Sequence, residues 1–186
     1  MCIRDSNTAK DNIGAKTGEY WSIDLEENYG KSMEFIPVCT REMWEYGQSI
    51  KINNAETYTF MEQYPVTKAN THQPVAVVDK NNPAVTHLYK RVIQALIVPF
   101  LDGELAPTAY MFVFKGLGCQ TGKKLNTFIY LRLGKQNKSP WNNVLTLSTK
   151  EKVHKEGTFL IPALKVGRET TKGEREEAKE YLDLAI

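Results

Sequence analysis

Between Glu104 and Glu151 the chain has no acidic residue, yet that gap holds Lys115, Lys123, Lys124, Arg132, Lys135, Lys138 and Lys150. A formal net charge of +2 over 186 residues therefore hides a segregation. From Glu19 to Glu62, nine acids stand against the three bases Lys31, Arg41 and Lys51. After Gly173, Glu174, Glu176, Glu177, Glu180 and Asp183 stand against Arg175 and Lys179. A basic middle between acidic flanks suits a polyanionic partner.

Cysteine is scarce. Cys2, Cys39 and Cys119 are far apart and form no C-x-x-C pair, so neither a disulfide framework nor a zinc site is indicated. Long apolar runs are missing too. The best candidate, residues 92–101, is interrupted by Gln94 and Pro99 and falls short of the roughly 20 residues a membrane helix needs. The N-terminus is polar and carries no secretory signal core, so a cytoplasmic protein is expected.

Catalytic and metal-binding signatures are also lacking. There is no G-x-S-x-G elbow and no H-E-x-x-H. His72, His87 and His154 are scattered away from cysteines and carboxylates, and Asp24, Glu26 and Glu27 read as a solvated charge run. The stretch from Gly116 to Lys124 invites comparison with a phosphate-binding P-loop. Its glycine spacing is wrong, and Lys123 is followed by Lys124 where a magnesium-binding hydroxyl belongs. We therefore expect no catalytic residue, no metal and no cofactor, and read 116–122 as a flexible basic loop.

What the acid-free region does contain is aromatic: Tyr110, Phe112, Phe114, Phe128, Tyr130 and Trp141. Cations track phosphates, and flat rings offer stacking platforms to unpaired bases. The expected interface comprises Lys115, Lys123, Lys124, Arg132, Lys135 and Lys138 for phosphates. Trp44, Tyr46, Phe128, Tyr130 and Trp141 are its candidate rings. Trp141 stands out because its neighbours are polar (Lys138-Ser-Pro-Trp-Asn-Asn143), and Trp44 and Tyr46 lie near the end of the first strand with Arg41 close by.

Residues 1–32 read as a flexible polar arm. Strands are expected at 33–44, where Pro37 signals an edge or bulge, at 57–66 and at 74–78. A helix is expected from Asn82 to Pro99: Asn82 can cap it, Pro83 suits the first turn, and Val85, Leu88, Tyr89, Val92, Ile93 and Leu96 recur at helical spacing. Strands 108–115 and 125–133 follow, then a hairpin of 144–147 and 158–166. A linker begins at 167, and an acidic helix spans 174–184. This order predicts a mainly β chain: an OB-fold-like five-stranded barrel with one inserted helix, an extra C-terminal hairpin and a short C-terminal helix. The nucleic-acid-binding domain is expected over 33–167, with 168–186 as linker and acidic helix. That helix has two readings, one lying over the basic groove and one packing Tyr181 and Leu182 on the barrel.

The chain resembles small phage single-stranded-DNA-binding proteins. The runs that carry the likeness are Tyr130-Leu-Arg-Leu-Gly, Pro140-Trp, Leu145-Thr-Leu-Ser-Thr and Gly157-Thr-Phe-Leu-Ile-Pro. Met33-Glu-Phe-Ile-Pro-Val with Met43-Trp-Glu-Tyr is similar to their opening strand. The opening Met-Cys-Ile-Arg-Asp-Ser resembles a translated adapter scar of metagenomic gene calls and is set aside from the fold. The resemblance implies an OB-fold and non-enzymatic binding of single-stranded DNA during viral replication or recombination in the host cytoplasm. RNA would be served by the same chemistry. It also implies replication or recombination proteins as partners of the acidic C-terminus, and leaves monomer and homodimer both open. The competing reading is a structural or virion-associated β-rich protein with a basic contact patch.

Overall fold

One strand of 21 residues organises the molecule. The structure is a computed structural model that describes residues 2–3, 19–22, 27–52, 55–154 and 157–184. In chain order the strands are β1 (Cys2–Ile3), β2 (Tyr20–Ser22), β3 (Glu27–Gly30), β4 (Ser32–Ile52), β5 (Ala55–Pro65), β6 (Ala76–Val78), β7 (Val85–Leu101), β8 (Glu104–Leu105) and β9 (Tyr110–Phe114). A 3-10 turn at Gly116–Gly118 leads into helix α1 (Cys119–Thr127), which continues as π-helical turns through Phe128–Leu133. After a second 3-10 turn at Pro140–Asn142 come β10 (Asn143–His154), β11 (Gly157–Glu169), helix α2 (Lys172–Glu180) and a last 3-10 turn, Tyr181–Leu184.

β4 and β7 pair antiparallel from Phe35–Pro99 to Ile50–Val85 and form a spine. At one end β4 also pairs with β10, which carries β11, while β7 pairs with β9. At the other end β4 pairs with β5 and β7 with β6. The register slips between Pro37 and Cys39, where proline can donate no ladder hydrogen bond, so the bulge expected at Pro37 is present.

Two buried clusters cover the two faces of the first end. Met33, Phe35, Ile93, Ala95 and Ile97 meet Phe112, Phe114, Leu125, Phe128, Ile129, Leu133, Leu145 and Leu147 on one side. Ile36, Val38, Leu96 and Val98 meet Val144 and Ala178 on the other, with Trp141, Tyr181 and Leu182 packed against them. Helix α1 thus lies on the first face and α2 on the second. Fully burying a side chain such as Ile93 or Ile97 is worth about 1.5–3 kcal/mol relative to exposure.

The fold is mainly β, as expected, but its sheet is open and does not close into a barrel. Two elements exchange type. Residues 82–99, expected as a helix, belong to β7. Val92 through Pro99 are buried on both faces because helices cover both sides, and a doubly covered strand loses its period of two. The β-branched Val85, Thr86, Val92, Ile93, Ile97 and Val98 then favour the extended backbone. Conversely, residues 125–133, expected as a strand, are helical. Their buried positions, Leu125, Phe128, Ile129 and Leu133, repeat at helical spacing. The expected loop 116–122 supplies the 3-10 turn and the start of α1.

The other expected strands and the C-terminal helix match observed elements, with β4 and the β10–β11 hairpin longer than foreseen; β11 runs on through Glu169 and α2 starts at Lys172, so most of the linker expected from 167 is strand or helix. The expected arm contributes β1 to β3. Its Tyr20 and Tyr29 enter the first cluster beside Phe112 and Tyr110, at ring separations of 6.0 and 6.1 Å. Burial pushes the Tyr20 phenol up to about 12. Of the segment set aside as an adapter scar, only Cys2 and Ile3 are among the described residues, paired with β2.

Candidate nucleic-acid interface

Helix α1 and its π-helical continuation present the acid-free region to solvent. The buried side docks on the sheet. The opposite side shows Lys123, Lys124, Arg132 and Lys135, all exposed, with Lys115 exposed just before the helix. These five form no ion pair among the described residues. π-helical turns are rare and gather at functional sites. Here the widened turns leave Tyr130, Leu131 and Arg132 exposed in succession. The cations expected on a strand face therefore sit on a helix.

A polar seam fixes this helix to β4. Thr40 Oγ1 donates to Asn126 Oδ1 (2.6 Å), and Asn126 Nδ2 reaches Glu42 at 3.5 Å. The Tyr130 hydroxyl donates to the Thr40 carbonyl (2.9 Å). Cys119 lies close enough to Lys123, Glu42 and Arg91 for all three charges to act on it, yet burial dominates and pushes its thiol up. Burial also pushes the Cys39 thiol up, so neither is an activated nucleophile.

Several expected ligand groups are engaged elsewhere. Trp44, mid-strand in β4, is only 6% exposed. Its Nε1 donates to the Asn70 carbonyl (2.9 Å), and the Arg91 guanidinium covers its ring at 5.1 Å. Phe128 is 7% exposed and belongs to the core, with Arg132 beside its ring at 5.7 Å. Trp141 packs half-buried against the second cluster instead of standing free in its polar segment. Lys138 is bound to Glu169 (2.7 Å), and that contact holds the Glu169 carboxyl below its usual range. Tyr130 remains 54% exposed.

Sequence reasoning named Tyr46 but missed the rings that gather around it, His87, Tyr89 and Tyr64. Thr40 and Glu42 touch α1, and Trp44 and Tyr46 follow at intervals of two, so they share that face of β4. Across the ladder, Arg91 stands opposite Trp44 and Tyr89 opposite Tyr46, while Tyr64 of β5 stands opposite Trp44 on its other side. Tyr46 and Tyr89 stack at 5.1 Å with 22° between their planes. The Tyr46 hydroxyl meets His87 Nδ1 at 2.8 Å. Burial, helped by the nearby Tyr89, Glu62 and Tyr46, pushes the Tyr64 phenol up. The signal was available: His87, Tyr89 and Arg91 alternate, and only the helical reading of 82–99 hid their common face.

The chain matches no known protein family, no curated protein and no solved structure. Among the described residues no group of three or more histidine, cysteine or carboxylate side chains is placed to hold a metal ion. No helix among them is long and apolar enough to cross a membrane.

The second acidic segment is anchored away from the cations. Thr171 and Glu174 form a reciprocal capping box at the start of α2. Arg168 grips Glu174 with bonds of 2.8 and 2.6 Å, and that pairing lowers the Glu174 carboxyl to about 2. Ala178 is fully buried, and the Tyr181 hydroxyl donates to the Pro107 carbonyl (3.0 Å). The helix packs on the face opposite α1, which removes the reading in which it lies over the basic surface.

Proposed function

We propose that the protein binds single-stranded nucleic acid, DNA above all, without catalysing a reaction on it. One observation carries this reading. Five exposed cations, none in an ion pair among the described residues, line α1 and its approach, on the same face of the sheet as partly buried aromatic rings. Backbone charge neutralisation and stacking are the two terms that hold unpaired strands. Action during phage replication or recombination, in the cytoplasm of the host, follows from the sequence resemblance. The exposed Glu176, Glu177 and Glu180 of α2 would offer partner proteins of those processes an acidic surface.

The test is binding of length-matched single-stranded DNA, single-stranded RNA and duplex at two salt concentrations. Preference for single strands, with a log–log salt slope of about −0.7 per neutralised phosphate, is the expected result. Equal affinity for duplex removes the reading.

One observation favours the structural or virion-associated alternative. β5 and β6 are outer strands, and Ile52, Phe60, Met61, Val75, Val77 and Val78 are exposed at that end of the sheet. Unprotected outer strands with apolar side chains invite pairing between chains. Sedimentation without nucleic acid discriminates: concentration-dependent growth into large particles supports assembly, and a constant small species supports the binding protein.

A further inference from the structure

We propose that Tyr46, Tyr64, Tyr89 and His87 form the subsite that receives the bases of the bound strand. The inference rests on the single-strand-binding reading above and gives its aromatic half to residues other than the two tryptophans. The rings are tiled across three neighbouring strands. Tyr46 and Tyr89 form an offset stack at 5.1 Å. Tyr46 and His87 have planes only 20° apart and centroids at 5.9 Å, and the hydroxyl-to-Nδ1 bond of 2.8 Å joins them edge to edge. The result is a partly buried ring cluster with a polar rim, whose outer ring faces and edges are left for a base.

The hydrogen bonds fix this tiling. Asp79 Oδ2 lies 2.9 Å from His87 Nε2, so Nε2 carries the proton given to the carboxylate. Nδ1 then accepts the Tyr46 hydroxyl proton, and Gln48 Nε2 donates to the Tyr46 oxygen at 3.1 Å. The Asp79 carboxyl is itself held by the backbone N–H groups of Asn81 and Asn82 at 2.7 and 3.0 Å. Beside the strip, on the side toward α1, Arg91 is held over Trp44 by the Thr71 carbonyl (3.1 Å) and Glu42 (3.6 Å). Rings held in advance lose little conformational entropy on binding.

A nucleobase fits this surface by chemistry. It is planar, it stacks on phenols and imidazoles, and its edge donors and acceptors match a hydroxyl and amide rim. The strip adjoins α1 through the shared run Thr40, Glu42, Trp44, Tyr46 on β4, which brings the strand's phosphates to Lys123 and Lys124. An acidic peptide would satisfy the cations but leave the rings unused.

The experiment compares the wild type with Tyr64→Leu/Tyr89→Leu and Tyr64→Phe/Tyr89→Phe. The probes are labelled oligo-dT and an abasic oligomer of equal length, with folding checked by thermal melts. The leucine pair is expected to weaken oligo-dT binding roughly tenfold or more, leave abasic binding unchanged and leave the salt slope unchanged. The phenylalanine pair keeps its rings and is expected to bind within about twofold of wild type, as base stacking needs the ring and not the hydroxyl. Folded leucine variants that bind oligo-dT like the wild type overturn the subsite while single-strand binding stands. Phenylalanine variants as weak as the leucine ones also overturn it. A wild type that fails to bind oligo-dT overturns both readings at once.

Discussion

Gly122 lies directly against Ile93: a β-carbon on the glycine would sit 2.7 Å from the Cβ of Ile93 and 2.8 Å from that of Phe114. The absence of a side chain lets α1 rest on the sheet at this point, and so sets the height of the basic surface above the aromatic strip. Gly122, which the sequence places in a flexible loop, is a packing device.

Gly122→Ala tests that contact. In an exposed helix the change would stabilise by roughly 0.5–1 kcal/mol. Here the new methyl meets Cβ atoms next to the backbone, which cannot swing aside, so we expect a net loss of about 1–3 kcal/mol. Chemical denaturation with an unchanged m-value checks it. A stabilised variant would show that the helix rides higher than described.

Lys123→Gln/Lys124→Gln tests the electrostatics. Both side chains are exposed, so stability should stay within about 0.5 kcal/mol of wild type. Binding to single strands should weaken for every sequence alike, and the salt slope should flatten by roughly 1.4, the equivalent of two phosphates. Titrations at several salt concentrations supply the slope, and an unaltered slope would place these lysines outside the interface.

The Arg168–Glu174 pair predicts an acid dependence. The Glu174 carboxyl falls from its ordinary 4.5 to about 2, chiefly through its bonds to Arg168. A depressed carboxyl contributes its stability fully above the ordinary value and loses it as pH falls toward the folded one. Arg168 is half exposed, so solvent screening limits the contribution to about 1 kcal/mol. Glu174→Gln should therefore be less stable than wild type at pH 6, and the gap should narrow by pH 2.5. A gap that persists at low pH would assign the effect to the helix cap alone.

Removing residues after Gly173 separates anchoring from autoinhibition. The cut takes away Ala178, Tyr181 and Leu182, which cover Ile36, Val38, Leu96 and Val98. We expect a lower melting temperature and no gain in affinity for single strands at low salt. Tighter binding by a fully folded truncation would revive the acidic helix as a competitor.

How much of this was legible in the sequence depends on how many neighbours each segment has. β5, β9, the β10–β11 hairpin and α2 were readable because the strands keep their alternation of side chains and the helix carries its own cap. Thr171 and Glu174 announce α2 locally. β7 was not readable, because covering both faces erased its alternation, and its apolar spacing then fitted a helix equally well. The segment 119–133 failed in the opposite direction, since its aromatics suggested strand propensity while Leu125, Phe128, Ile129 and Leu133 obeyed a helical period. The charge gap was visible at once, but where it would face depended on that exchange. The burial of Trp44 depends on the Asn70 carbonyl, 26 residues away, and nothing near Trp44 in the chain foretells it.

β4 and β7 are each continuous from the half of the sheet that carries the helices to the half that carries β5 and β6. Neither half can therefore melt without breaking strands that the other half needs. Although the exposed end contains few buried side chains, it should lose structure in the same transition as the core. Calorimetric and van't Hoff enthalpies should agree, and amide protons of Tyr46 and Tyr89 should exchange through global opening and not by fraying from the tip. The spine thus makes the aromatic strip as durable as the core it extends from.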